Sequence, residues 1–131
     1  MPMQGEQILI VDDNAANLKL ARLLLTAEGH EARTAVDAEH ALKVLETFKP
    51  CLILMDIQLP GMDGLTLTKK LKSDPTTRDI VVIALTAYAM KGDEEKARAA
   101  GCDGYIAKPI DVHTLPQRVA QFLADARGGA R

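Results

Sequence analysis

Residues 7–13 read QILIVDD, a short apolar run rich in β-branched side chains that ends in two aspartates. An unbroken apolar run of this kind is typical of a strand covered on both faces, as in a parallel sheet. Residues 51–56 read CLILMD and repeat the pattern, again with an acid at the end. The two segments therefore predict buried strands that carry carboxylates at their C-terminal ends.

Outward from these segments, predicted strands and helices alternate along the whole chain. Strands are expected at residues 7–11, 31–35, 51–55, 80–85 and 104–107, and helices at 14–28, 38–48, 65–71, 92–100 and 112–126. Parallel neighbours need crossover connections, so this order predicts an α/β fold with a doubly wound parallel sheet covered by helices on both faces. We expect a single domain over residues 1–131, with its core at about 7–124 and a flexible tail at 127–131.

Composition argues against several classes of partner. The chain has 16 basic and 18 acidic residues, and this near-balance gives no electrostatic reason to expect nucleic acid or a membrane surface as the main partner. No apolar run approaches the length of a bilayer span, and the N-terminal MPMQGEQ lacks the features of a signal peptide. We therefore expect a cytoplasmic protein that does not bind membranes or nucleic acid directly.

Chemistry-bearing residues follow four of the predicted strands. In an open parallel sheet the ligand crevice lies beyond the carboxyl ends of the strands, which brings these residues together despite their separation in sequence. They are Asp12, Asp13, Asp56, Thr86 and Lys108. The histidines His30, His40 and His113 lie away from the strand ends, and we expect them on the surface or at helix flanks.

Three neighbouring carboxylates repel one another unless some are protonated or a cation offsets their charge. An all-oxygen ligand set favours Mg²⁺, for which Mn²⁺ can substitute. We expect Asp13 and Asp56 to be direct ligands, Asp12 a direct or water-mediated ligand, and the backbone carbonyl of Gln58 a neutral one. The alternative is that these acids are only helix N-caps.

Asp56 is the candidate nucleophile of the cluster. A carboxylate can attack phosphorus to form an aspartyl phosphate, and the Thr86 hydroxyl and Lys108 ammonium would then bond the new phosphate oxygens. A cis bond between Lys108 and Pro109 would fix where the ammonium points.

Four ordered motifs carry a family resemblance: VDDN at 11–14, LMDIQLPGMDG at 54–64, LTAYA at 85–89 and YIAKPI at 105–110. With them the chain resembles a response-regulator receiver domain over roughly residues 7–124, and it is particularly similar to single-domain regulators of the DivK type. Receivers fused to hybrid histidine kinases carry similar strings. The resemblance implies the flavodoxin-like (βα)5 fold with strand order 2-1-3-4-5.

The resemblance also implies a signalling role. Asp56 would take a phosphoryl group from a phosphohistidine of a histidine kinase or phosphotransfer protein, with Asp12, Asp13 and the Gln58 carbonyl around Mg²⁺. Thr86 and Tyr105 would be a switch pair that remodels the surface of the fourth helix, fifth strand and fifth helix for a downstream protein. We expect a monomeric phosphorylation switch with possible autodephosphorylation, and not an enzyme in the usual sense.

Other classes of protein compete with this interpretation. A haloacid-dehalogenase-type phosphatase needs a second Asp two positions after the nucleophile, where this chain has Gln58. A flavodoxin-like electron carrier must hold a phosphate in its first loop, where Asp12 and Asp13 would repel it. A receiver excised from a hybrid histidine kinase and a constitutive, non-phosphorylated scaffold receiver remain as alternatives.

Overall fold

The computed structural model describes residues 5–86 and 91–129, without the side chains of residues 91, 93 and 127–129. Five strands alternate with five helices along the chain. In order they are β1 Gln7–Val11, α1 Ala15–Ala27, β2 Glu31–Ala35, α2 Ala38–Leu45, β3 Leu52–Asp56, α3 Gly64–Lys72, β4 Val81–Thr86, α4 Lys91–Ala100, β5 Gly104–Ala107 and α5 Thr114–Gly129.

The strands form one parallel sheet in the order β2-β1-β3-β4-β5. This confirms the predicted doubly wound α/β fold and its strand order. The chain starts at β1 in the interior of the sheet, moves to the β2 edge, and then crosses back past β1 to β3 and onward. The reversal between β1 and β3 creates the crevice at their carboxyl ends where ligands of such folds bind.

The core has two halves, one on each face of the sheet. Because side chains alternate along a strand, Leu9 and Val11 of β1 pack toward α2, α3 and α4, whereas Ile8 and Ile10 pack toward α1 and α5. All four side chains have at most 1% of their surface exposed. Burial on both faces explains why the central strands are uniformly apolar in sequence.

Most predicted boundaries lie within two residues of the observed ones, and the exceptions are at helix ends. Helix α2 ends at Leu45 and not at Phe48. Phe48 is 2% exposed and packs into the core, and Pro50 disfavours helical backbone before it, so the chain leaves the helix early. Helix α5 continues to Gly129 and so includes residues 127–129 of the predicted tail, and residues 130–131 lie outside the described residues.

Candidate functional site

Three carboxylates meet at the carboxyl edge of the sheet. Val11 is paired with Met55 in the β1–β3 register, so Asp12, one residue on, is level with Asp56. Asp12, Asp13 and Asp56 each offer a carboxylate oxygen, and the three oxygens lie within 4.8 Å of one another. Asp12 is fully buried and Asp56 is 3% exposed, whereas Asp13 is exposed. The cluster therefore has two acids in its floor and one at its mouth.

Lys108 supplies the positive charge of the site. Its Nζ lies 3.1 Å from Oδ2 of Asp12 and 3.1 Å from Oδ2 of Asp56. The backbone N–H of Lys108 donates to the carbonyl of Thr86 at 2.7 Å, which anchors it just beyond β5. The Lys108–Pro109 bond is cis, as predicted. The ammonium thus bridges the two buried carboxylates.

The pKa values of this pair reflect burial and mutual attraction. Burial raises the pKa of Asp56, the hydrogen bond from Lys108 opposes that rise, and the charge of Asp12 adds to it. Burial alone would lower the pKa of Lys108, but its hydrogen bonds to Asp56 and Asp12 outweigh that effect and raise it. The site therefore holds a protonated ammonium beside the Asp56 carboxylate, which is harder to ionise than a free aspartate.

The loop after β3 fixes the Asp56 carboxylate from the other side. The backbone N–H of Gln58 donates to Oδ1 of Asp56 at 3.1 Å, and the Gln58 side chain is exposed. Gly64 closes the loop by donating its N–H to the carbonyl of Ile57 at 2.9 Å. A Cβ at Gly64 would overlap the backbone carbonyl of Asp56, so the approach requires glycine. The role of the Gln58 carbonyl as a metal ligand stays a prediction.

Thr86 and Tyr105 lie on the same face of the sheet. Ala84 pairs with Tyr105 in the β4–β5 register, and Thr86, two residues beyond Ala84, points to the same side. Thr86 is 4% exposed at the end of β4, and the Tyr105 ring packs against the core cluster beneath α4. Hydrogen bonding with the Glu94 carboxylate raises the pKa of the Tyr105 hydroxyl. The sequence had not pointed to Glu94, since nothing in its spacing marks it.

The helix-cap alternative for the acids is wrong for the described helices that follow β1 and β3. Asn14 caps α1 by accepting from Asn17 N at 3.0 Å, and Asp63 caps α3 by accepting from Thr66 N at 2.8 Å. Asp12 and Asp56 face each other across the crevice instead, joined by Lys108. Their carboxylates are thus available for site chemistry.

The histidine prediction needs one correction. His40 and His113 are exposed as expected, but His30 is buried, with 8% of its surface exposed. Its Nδ1 accepts a hydrogen bond from Glu6 N at 3.0 Å, and burial lowers its pKa. His30 lies at the start of β2, at the opposite end of the sheet from the acids, and is part of the packing of the N-terminal segment.

Comparison with known proteins agrees with this geometry. Residues 8–120 match the model of the response regulator receiver domain. The chain belongs to the response regulator receiver family. Among curated relatives, the receiver is similar to the polar-differentiation response regulators DivK of Brucella anthropi and Brucella ovis, each 47% identical over 92% of this chain and 98% of the relative.

Solved structures give the same result. The receiver resembles a CheY-like response regulator receiver domain protein from Methanospirillum hungatei JF-1, with TM-score 0.87, 31% identity and coverage of 96% of this chain and 99% of that one. It also resembles the receiver domain of a sensor histidine kinase from Pseudomonas aeruginosa PAO1, with TM-score 0.79, 35% identity and coverage of 89% and 95%. That structure has a magnesium ion coordinated in its active site cleft.

The donor set of this receiver fits a hard dication. Asp12, Asp13 and Asp56 offer only oxygen, they converge within 4.8 Å, and the site has an exposed side at Asp13 through which an ion can enter with its waters.

Among the helices described, none is long and apolar enough to cross a bilayer.

Proposed function

We propose that this receiver accepts a phosphoryl group on Asp56 from a phosphohistidine of a histidine kinase or phosphotransfer protein, with Mg²⁺ bound beside it. One observation carries the proposal: three carboxylates lie within 4.8 Å of one another, and the Lys108 ammonium lies 3.1 Å from two of them. Structural ion pairs rarely need three acids for one base, whereas phosphoryl transfer needs a carboxylate nucleophile, a cation site and a movable ammonium.

In the transfer, an oxygen of Asp56 forms a bond to phosphorus as the phosphorus–nitrogen bond of the donor imidazole breaks, and the imidazole nitrogen keeps the electron pair. Asp12, Asp13, Asp56 and the carbonyl of Gln58 would hold Mg²⁺, which neutralises charge on the transferring group. Lys108 binds a phosphate oxygen with its ammonium, and the Thr86 hydroxyl donates to another. Later attack by water on the aspartyl phosphate would return the carboxylate and release inorganic phosphate.

The DivK relative, a polar-differentiation response regulator, is covered to 98% of its length by this chain. We propose that phosphorylation switches a downstream partner through Thr86, Tyr105 and the face formed by α4, β5 and α5. Action in the cytoplasm as a monomer stays a prediction. A receiver from a hybrid histidine kinase would use the same chemistry, and a constitutive scaffold is disfavoured because the three acids and Lys108 are all present.

The decisive experiment is incubation with acetyl phosphate or phosphoramidate and Mg²⁺, followed by intact mass spectrometry. We expect one phosphoryl adduct on the wild type and none on Asp56→Asn. The matched control is Asp63→Asn, because Asp63 is an exposed acid in the same loop and asparagine can still cap α3. An equal adduct on Asp56→Asn, or loss of the adduct on Asp63→Asn only, would overturn the assignment of the nucleophile.

A further inference from the structure

Asn17, a residue for which the sequence suggested no role, contacts the acidic site. Its side-chain Nδ2 donates to Oδ2 of Asp12 at 3.4 Å. Asn17 is the third residue of α1, where a polar side chain would usually reach back to the N-cap residue. Here the amide reaches across to a metal-site carboxylate instead.

Three hydrogen bonds form a closed ring among Asp12, Asn14 and Asn17. The backbone N–H of Asn14 donates to Oδ1 of Asp12 at 2.9 Å, and the backbone N–H of Asn17 donates to Oδ1 of Asn14 at 3.0 Å. The Asn17 amide then closes the ring on Oδ2 of Asp12. Both oxygens of the fully buried Asp12 are thereby tied to the first turn of α1.

Lys108 shares Oδ2 of Asp12 with Asn17. Its Nζ is 3.1 Å from that oxygen and 3.1 Å from Oδ2 of Asp56. When a phosphoryl group forms on Asp56, the ammonium has to turn toward the phosphate oxygens, which weakens its hold on Asp12. A buried carboxylate oxygen that loses its donor is destabilised, so a second donor fixed on the helix makes the movement of Lys108 easier.

We propose that Asn17 is a positioning residue for Asp12, which orients this carboxylate toward the metal site and keeps Oδ2 hydrogen-bonded when Lys108 turns to the phosphoryl group. The proposal rests on the proposed function, in that it assumes a metal and a phosphoryl group at this site. It gives the DDNxxN stretch of residues 12–17 one purpose, since its first aspartate and its two asparagines form the ring.

The test compares wild type, Asn17→Leu and a control, Thr26→Leu, which changes an exposed residue in the last turn of α1. Leucine has the same number of side-chain heavy atoms and the same branching as asparagine but has no donor. Calorimetric titration with Mg²⁺ alone should show about tenfold weaker binding for Asn17→Leu and unchanged binding for the control. A further titration with beryllium fluoride in the presence of Mg²⁺, as a phosphoryl mimic, should show an additional loss for Asn17→Leu.

A second readout does not depend on metal. In metal-free protein the side-chain amide of Asn17 should give a nuclear magnetic resonance signal that shifts in Asp12→Asn. If Asn17→Leu binds Mg²⁺ like the wild type, or only lowers the melting temperature in EDTA, Asn17 is a structural residue and the inference is wrong. If the wild type itself takes up no Mg²⁺, the proposed function fails. If, in addition, the Asn17 amide signal does not shift in Asp12→Asn, the contact between Asn17 and Asp12 is wrong as well.

Discussion

At the scale of single residues, the balance of charge around Asp56 decides the behaviour of the metal-free receiver. Two buried acids share one ammonium, and the third acid, Asp13, lies at the surface beside them. Burial and the charge of Asp12 raise the pKa of Asp56. For an acid whose pKa is higher in the folded than in the unfolded protein, the loss of stability begins as the pH rises through the unfolded pKa and is complete above the folded pKa.

Because the raised pKa of Asp56 means that its ionised form costs stability, Asp56→Asn should stabilise the protein in the presence of EDTA. The amide removes a buried charge but can still accept from Lys108, so the free energy of unfolding at neutral pH should rise by up to about 1 kcal/mol, allowing for solvent screening. The gain should shrink as the pH falls toward the unfolded pKa of aspartate, because Asp56 itself becomes protonated there. Urea unfolding at several pH values measures it.

Lys108 has the opposite pH dependence. Its pKa is raised in the folded state, so its contribution to stability is complete below the unfolded pKa of lysine and is lost as the pH rises through the folded pKa. The change with pH of the stability difference between wild type and Asp56→Asn in the acidic range therefore reports the titration of Asp56 and not that of Lys108. An Asp56→Asn protein less stable than Asp63→Asn in EDTA would contradict this account of the site.

At the scale of elements, the strand ends could be predicted from the sequence because the change from apolar to charged residues is abrupt there. Asp12, Asp56 and Lys108 are found this way, and the parallel topology brings them together. The contacts of Asn17 and Glu94 could not be predicted, because they depend on the direction of a side chain across a gap and not on spacing. The burial of His30 follows from how residues 5–6 pack beside β2, which no local pattern marks.

The loop between β3 and α3 depends on the absence of a side chain at Gly64. Gly64→Ala should destabilise the fold by about 1–3 kcal/mol, because the added Cβ would overlap the Asp56 carbonyl and lie 3.1 Å from Cα of Ile57. Since the displaced backbone carries Asp56, the rate of phosphorylation by acetyl phosphate should fall as well. Urea unfolding and intact mass over time measure the two effects.

Gly92→Ala is the matched control. Gly92 lies in α4, and a Cβ there meets nothing within 4 Å, so alanine should be neutral or stabilise the helix by up to about 1 kcal/mol. Equal stability and equal phosphorylation rates for the two alanine variants would show that the close approach at Gly64 does not matter for the site.

At the scale of the whole molecule, the sheet connects the acidic edge to a distant face. Thr86 ends β4, its carbonyl accepts from Lys108 N, and Tyr105 lies one strand away beneath α4. On the far side of β5, the guanidinium of Arg118 in α5 donates to the Tyr105 carbonyl at 3.0 Å. The proposed movement of Thr86 toward a phosphate would therefore have a short path to both helices that flank β5.

The free energy needed to invert a conformational preference limits how much of the switch the Thr86 hydroxyl can supply. Inverting a preference of 1:99 needs about 5.5 kcal/mol of differential interaction, and a hydrogen bond to a charged group contributes about 1.5–3 kcal/mol. Thr86 can therefore supply a part of the coupling, and Lys108 and the metal must supply the rest. Removing its hydroxyl should weaken the switch without abolishing phosphorylation.

We accordingly expect Thr86→Ala to gain the phosphoryl adduct like the wild type, but with a ratio of switched to unswitched protein at least about tenfold smaller, since 1.4 kcal/mol corresponds to a factor of ten in an equilibrium constant. Amide and Tyr105 ring resonances of α4, β5 and α5, recorded before and after acetyl phosphate with Mg²⁺, measure that population. Thr47→Ala, at an exposed threonine far from the acids, should respond like the wild type. If the resonances of phosphorylated Thr86→Ala move as far as those of the wild type, the signal reaches β5 by a route that does not involve the Thr86 hydroxyl.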